Sequence, residues 1–266
     1  MVVPEGKGLG APECCGICGA ALNQGTNGSV DCGGDCLACV SEVEAWEGYG
    51  LPEIEGGWQL VEWEAIRLWI ARSPEALLDH DSPRTRHTYN DAMPYWAWLW
   101  ESAAPMTRAL ASRGMEGTVL EVGAGLGAVG LGLAAANPNI ELTLSDNDPQ
   151  SVATLAVNAL LNRLPEIRVW TLDWRQPGLI PEESFNAIIG CEVTYDAPTH
   201  EPLLDVFDRF LAPRDGRVLL TDAGRPRLPQ FIRRAEARGW SVQIQTMDGQ
   251  DAPPAAGEAR LLTLTR

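Results

Sequence analysis

The stretch VLEVGAGLGAVG (119–130) constrains this chain more than any other. A β-favouring run passes into alternating glycines and then into small apolar residues. Glycines let the backbone turn sharply and approach a ligand, and the helix that follows presents its free amides there. The stretch therefore ends a buried strand and opens a helix. Two ligand patterns overlap on it. Gly123, Gly125 and Ala128 satisfy the dinucleotide pattern G-x-G-x-x-A, whereas Glu121, Gly123, Gly125 and Gly127 satisfy the E-x-G-x-G-x-G of enzymes that use S-adenosylmethionine.

The flanking sequence alternates in the same way. TVLEV, IELTLS, IRVWTL, FNAIIG and RVLLTD read as strands, and WSVQIQTM and RLLTLT as two more near the C-terminus. Helical spacing appears from Gly127 to Ala136, from Pro149 to Arg163 with Asp148 as N-cap, and in HEPLLDVFDRFLA and LPQFIRRAEARG. Upstream, LVEWEAIRLWIA reads as a pair of strands. SPEALL reads as a short helix capped by Ser73, and PYWAWLWESAAPMTRALASRG as a helix ending on Gly114. Strands separated by helices imply an α/β fold, a doubly wound Rossmann-like sheet with helices on both faces. The run VGAGLGAVGLGLAAANPNI (122–140) imitates a membrane span, but its glycines and Asn-Pro-Asn make it a poor one.

Two further strand ends choose between the ligands. Asp146 closes the second strand, about 20 residues beyond the glycines, where a carboxylate can accept both ribose hydroxyls. Asp173 and Trp174 close the third, where the acid can accept from an adenine amino group with the ring beside the base. The three together favour S-adenosylmethionine over NAD. Asn147, next to Asp146, and Cys191, at the end of a later strand, are assigned to the same cofactor site.

With these residues in place the chain resembles the seven-strand class I methyltransferases. Within them it is most similar to the lysine methyltransferase family that includes the enzyme acting on the electron-transfer flavoprotein β subunit. PYWAWLWESA (94–103), VLEVGAGLGAVGLGLAA (119–135), LSDNDPQSVATLAVNALLNRLP (144–165) and GCEVTYD (190–196) carry the match. The resemblance implies a seven-stranded sheet with an antiparallel last strand and the cofactor across the strand carboxyl ends. It implies that Trp100 contacts the cofactor. It also implies that Glu192 and Tyr195 stand at the mouth of a lysine channel, although relatives carry Asp where this chain has the longer Glu.

A lysine nucleophile has a reference pKa of about 10.4 and must lose a proton before attack. Glu192 is expected to hold the incoming ammonium and Tyr195 to shape a partly desolvated channel that lowers that pKa. No [Asn/Asp]-Pro-Pro-aromatic tetrad, the signature of adenine N6 and glutamine methylation, occurs. His80, His87 and His200 lie in no recognisable base motif and are read as surface or capping residues. Cys191 is not read as a nucleophile.

Six of the seven cysteines fall between 14 and 39. The spacing C-x3-C-x2-C within DCGGDCLAC also occurs around iron–sulfur clusters that cleave S-adenosylmethionine. That chemistry needs a barrel behind the loop, and here an acidic Gly-rich linker into an α/β domain follows instead. Without a secretory signal, clustered C-x2-C pairs favour a metal over disulfides. Cys15, Cys18, Cys36 and Cys39 suit tetrahedral zinc, with Cys32 an acceptable alternative in the second pair. The expected organisation is a tail (1–11), a zinc-ribbon-like module (12–46), a linker (47–57) and a methyltransferase domain (58–266).

The net charge is −16, and the first 55 residues hold nine acids against one base. That balance disfavours a broad phosphate-binding surface and suits a protein partner better than nucleic acid. No membrane association is expected, and the cytoplasm is the expected compartment. An RNA or small-molecule amine acceptor, or a non-catalytic binding module on the same scaffold, are the alternatives.

Overall fold

The computed structural model describes residues 51, 54–79, 93–164, 166–177 and 183–266. The chain divides between Leu51 and Pro52, and the architecture below is that of the part after this point. The tail, the Cys-rich module, the candidate zinc ligands Cys15, Cys18, Cys32, Cys36 and Cys39, and the histidines at 80 and 87 lie outside the described residues. Among the described residues no three His, Cys, Asp or Glu side chains are grouped to hold a metal ion. No described helix is long and apolar enough to cross a membrane.

The expected strand pair forms a hairpin, β1 (Trp58–Trp63) against β2 (Ile66–Ala71). SPEALL becomes a 3-10 helix, Pro74–Asp79, and not an α-helix. So short a segment closes too few α-type bonds to hold that geometry. The Ser73 hydroxyl reaches the Glu75 carboxylate at 3.3 Å instead of capping an amide.

A larger correction concerns the helix expected from Pro94. Only Tyr95–Ala97 make a 3-10 turn, Trp98 is extended, and helix α1 runs from Ala103 to Ala111. An α-helix rotates 100° per residue and would scatter Tyr95, Trp96, Trp98 and Trp100 around its circumference. On the path observed, all four line one cleft.

From β3 onward the sequence reading holds closely. β3 (Gly117–Val122), α2 (Ala128–Ala136), β4 (Ile140–Asp146), α3 (Pro149–Leu161), β5 (Arg168–Thr171) and β6 (Ala187–Cys191) follow in order. Then come α4 (His200–Phe210), β7 (Arg217–Asp222), α5 (Leu228–Ala237), β8 (Ser241–Gln245) and β9 (Arg260–Thr265). Seven strands make one sheet in the order β5-β4-β3-β6-β7-β9-β8. Only β9, the last, runs antiparallel to its neighbours.

Strand alternation sorts the helices between the two faces. Val119, Leu219 and Leu261 pack on one side with Met106 and Leu110 of α1, Leu131 and Leu133 of α2, and Leu155 of α3. Leu120, Val122, Leu220 and Leu262 point the other way, onto Leu203 and Phe207 of α4 and Phe231 of α5. The apparent membrane span is therefore the end of β3, the glycine loop and a buried helix of nine residues. Strand order reverses beside β3, and an open α/β sheet has its ligand crevice at the carboxyl ends of the strands flanking such a reversal.

Candidate active site

At that point a cleft of about 850 Å³ opens, toward the upper end of the size range of small-molecule sites. Its floor is the glycine loop. Gly123, Gly125 and Gly127 have φ of 61°, 56° and 78°, a left-handed backbone that side chains rarely adopt. Space demands glycine as well. A Cβ on Gly123 would stand 3.0 Å from Val193 and 3.3 Å from the Trp174 ring, and one on Gly125 would stand 2.7 Å from the Trp96 carbonyl oxygen.

Glu121 is 2% exposed at the end of β3. Its Oε2 accepts from the Gly130 amide, in the first turn of α2, at 2.9 Å. Gly127, the N-cap, has no side chain to satisfy that turn, so the strand supplies the cap. Burial pushes the Glu121 carboxyl up to about 8, the Gly130 amide pulls it back, and the Asp146 charge adds to the rise.

Asp146 is equally well built in. Oδ2 accepts from the Gly125 amide at 2.9 Å and Oδ1 from the Asp148 amide at 3.0 Å. Burial raises its pKa, and these two amides oppose the rise. Asp148 caps α3 as the sequence implied, accepting from the amides of Gln150 and Ser151. Glu121, Asp146, Asn147 and Trp174 all line the cleft.

Asp173 is placed differently. It is not among the residues lining the cleft. Its two oxygens grip Arg175, Oδ1 from Nε at 2.8 Å and Oδ2 from Nη2 at 2.7 Å. Burial pulls its carboxyl upward, but the Arg175 hydrogen bonds and charge together outweigh that and hold it below the usual value. An arginine two residues along competes for the acid, a pairing that strand-end position does not reveal.

The other end of the cleft gathers the acceptor candidates. Glu192, just past β6, is 5% exposed and has φ of 58°, while its amide donates to the Thr221 carbonyl at 2.8 Å. Its Oε1 accepts from the Ser102 hydroxyl at 2.6 Å, and its Oε2 from Arg225 Nε at 2.6 Å. Glu192, expected to hold an incoming ammonium, is thus already paired with a guanidinium. The Arg225 guanidinium also lies over the Trp100 ring, 5.1 Å from its centre. Burial pushes the Cys191 thiol up to about 12, too high for a ready nucleophile. Tyr195 is 45% exposed at the rim, edge-on to Tyr95 with centroids 5.5 Å apart.

His200 is a second correction. It is fully buried, and its Nε2 lies 2.8 Å from the Thr194 carbonyl, supporting the loop between Glu192 and Tyr195 from below. Burial lowers its pKa, so the neutral ring donates that bond.

Sequence reasoning missed Ser102, concealed in the expected helix, and Arg225, which stands 33 residues from its partner with no spacing rule to link them.

The glycine floor, the Asp146 carboxylate beside it and the Trp174 wall fit S-adenosylmethionine, whose ribose calls for an acceptor and whose base calls for an apolar face. A family model described as lysine methyltransferase matches residues 86–236. Solved structures of similar fold include M. jannaschii TYW2 in complex with AdoMet, with a TM-score of 0.51, 16% identity, and 78% of this chain and 84% of that one covered. The mitomycin 7-O-methyltransferase MmcR gives 0.51 at 18% identity, covering 71% and 59%, and PigF with SAH gives 0.52 at 18%, covering 65% and 58%. The search of curated proteins found no match. With more than half of its length matched, the chain belongs to the lysine methyltransferase family of S-adenosylmethionine-dependent enzymes.

Proposed function

We propose that this enzyme methylates the side-chain amine of lysine in a protein substrate. The observation that carries the reading is a buried carboxylate at the inner end of the cleft, Glu192, three residues from a tyrosine exposed at its rim, Tyr195. The family description supports it. The rim is open, with Leu78 and Tyr195 both exposed, which suits a side chain presented from a protein surface better than a small metabolite. The acidity of the chain argues against RNA.

When bound, the cofactor supplies an electrophilic methyl: the amine lone pair forms the N–C bond as the C–S bond breaks toward sulfur. Alignment is then the protein's main task, and oriented reactants gain effective molarities of roughly 10⁵–10⁸ M. Glu192 retains lone pairs beyond those given to Ser102 and Arg225, and accepts an N–H of the amine to orient it. Trp100, Tyr95 and Tyr195 wall the approach and exclude water. The proton lost before attack leaves through the open rim.

The test incubates enzyme and an E192A variant with methyl-labelled S-adenosylmethionine and cell extract, followed by protease or ribonuclease. Lys7 is the chain's only lysine, so a K7R background removes self-labelling. Protease-sensitive label, recovered as methyl-lysine and lost in E192A at nearly unchanged cofactor affinity, supports the reading. Ribonuclease-sensitive label, or label confined to small molecules, overturns it.

A further inference from the structure

The ion pair at the acceptor end has a chemical consequence for the lysine reading, on which this inference rests. An unpaired carboxylate beside an amine stabilises the ammonium and raises its pKa, typically by about 1–3 units. That is the wrong direction, because only the neutral amine has a lone pair to give. Here the acid does not stand alone. Arg225 Nε is 2.6 Å from Glu192 Oε2, with 3% of the acid's side chain exposed.

Arg225 is held there from several sides. Its amide donates to Asp222 Oδ1 at 2.8 Å. The Trp100 ring lies under the guanidinium. Gly224, just before it, has φ of 72°, and any Cβ there would run into the Ala255 carbonyl, so only glycine fits the turn that delivers Arg225. Asp222 is itself buried and takes the Thr194 hydroxyl on its other oxygen. Among the described residues, the other titratable groups toward this end are Cys191, whose thiol stays protonated, with Glu121 acting on it, and Tyr95, Tyr195, Asp196 and Arg227 toward the rim.

We propose that Arg225 is a positioning residue that neutralises Glu192, so that the acid can hold the acceptor amine by a hydrogen bond without holding it protonated. Glu192 orients and Arg225 cancels its charge. The proton passes to bulk water before attack, and no further acid or base is needed.

The experiment follows the initial rate of label transfer into extract proteins against pH, at limiting extract, for wild type, R225Q and R225K. S-adenosylhomocysteine affinity and thermal unfolding accompany each. R225Q is expected to move the rising limb of the profile to higher pH by about 1–3 units, with rate regained as pH rises. R225K, which keeps the charge, is expected to turn over more slowly with the limb where wild type has it. R225M, which keeps the stem on Trp100, takes the place of R225Q if that variant does not fold. An unmoved limb in the charge-free variant overturns the proposal, as does a lowered KM with an unmoved limb, which would make Arg225 a placeholder that substrate displaces. Label recovered outside methyl-lysine overturns the lysine reading itself, a result distinguishable from either.

Discussion

The side-chain amide of Asn158 donates to the carbonyl of Leu126 at 2.9 Å, tying the C-terminal part of α3 to the glycine loop. Its oxygen accepts from the Trp69 amide at 2.7 Å on β2. One helical turn on, Asn162 accepts from the Arg67 amide at 2.8 Å and donates to the Arg67 carbonyl at 2.7 Å. Two asparagines thus give β2 the donor and acceptor that a neighbouring strand would give, and one of them also steadies the cofactor floor. N158A removes the side-chain partner of the buried Leu126 carbonyl and of the part-buried Trp69 amide, and a buried polar group that loses its partner costs about 1–3 kcal/mol. A loss of about 3 kcal/mol is expected in urea unfolding, with weaker S-adenosylhomocysteine binding; N162A should cost less and leave binding alone.

G125A separates folding from cofactor binding. The added methyl meets the Trp96 carbonyl at 2.7 Å and forces a left-handed alanine. The aromatic segment has to retreat from the floor, so calorimetry should show cofactor affinity falling at least about tenfold (~1.4 kcal/mol), with the sheet still formed.

At Gly130 two effects compete. Alanine is the better helix former by about 1 kcal/mol, yet its methyl would occupy the site of the Glu121 carboxylate oxygen and press on Leu144. Overpacking costs about 1–3 kcal/mol, and the cap bond to a buried acid is lost besides. G130A should therefore lower the unfolding midpoint, a sign opposite to that expected from propensity.

Glu121 also makes stability fall with pH. Its carboxyl ionises near 4.5 when unfolded but at about 8 when folded. Between those values the native state holds the extra proton, so raising the pH through this window favours unfolding, at most by about 1.4 kcal/mol per unit. Denaturant titrations from pH 5 to 8 should show this decline in wild type and a flatter profile in E121Q.

The central units were legible because their signals are local. Strands buried on both faces read as apolar runs, glycine marked the turn, and Asp148 capped its helix as its position implied. The aromatic segment was not legible, since Tyr95 to Trp100 have helical density and only the cleft beyond them dictates the path. Site residues followed the same division. Glu121, Asp146 and Trp174 were named from their position at or just past strand ends, and all three line the cleft. Ser102 and Arg225 reach Glu192 from elements distant in sequence, and nothing but the fold brings them together. Asp173 was read correctly as a strand-end acid, but its side chain went to a neighbouring arginine.

The insertion of β9 between β7 and β8 sets an order on the birth of this protein. Chains emerge from the ribosome in sequence order, and β8, whose one strand partner in the sheet is β9, must wait for a strand made some fifteen residues later. Until then β7, beside the Glu192 end of the cleft, is the open margin of an unfinished sheet. An open strand edge invites pairing with other chains, so anything that delays or blocks β9 should expose nascent copies to one another before the sheet is complete.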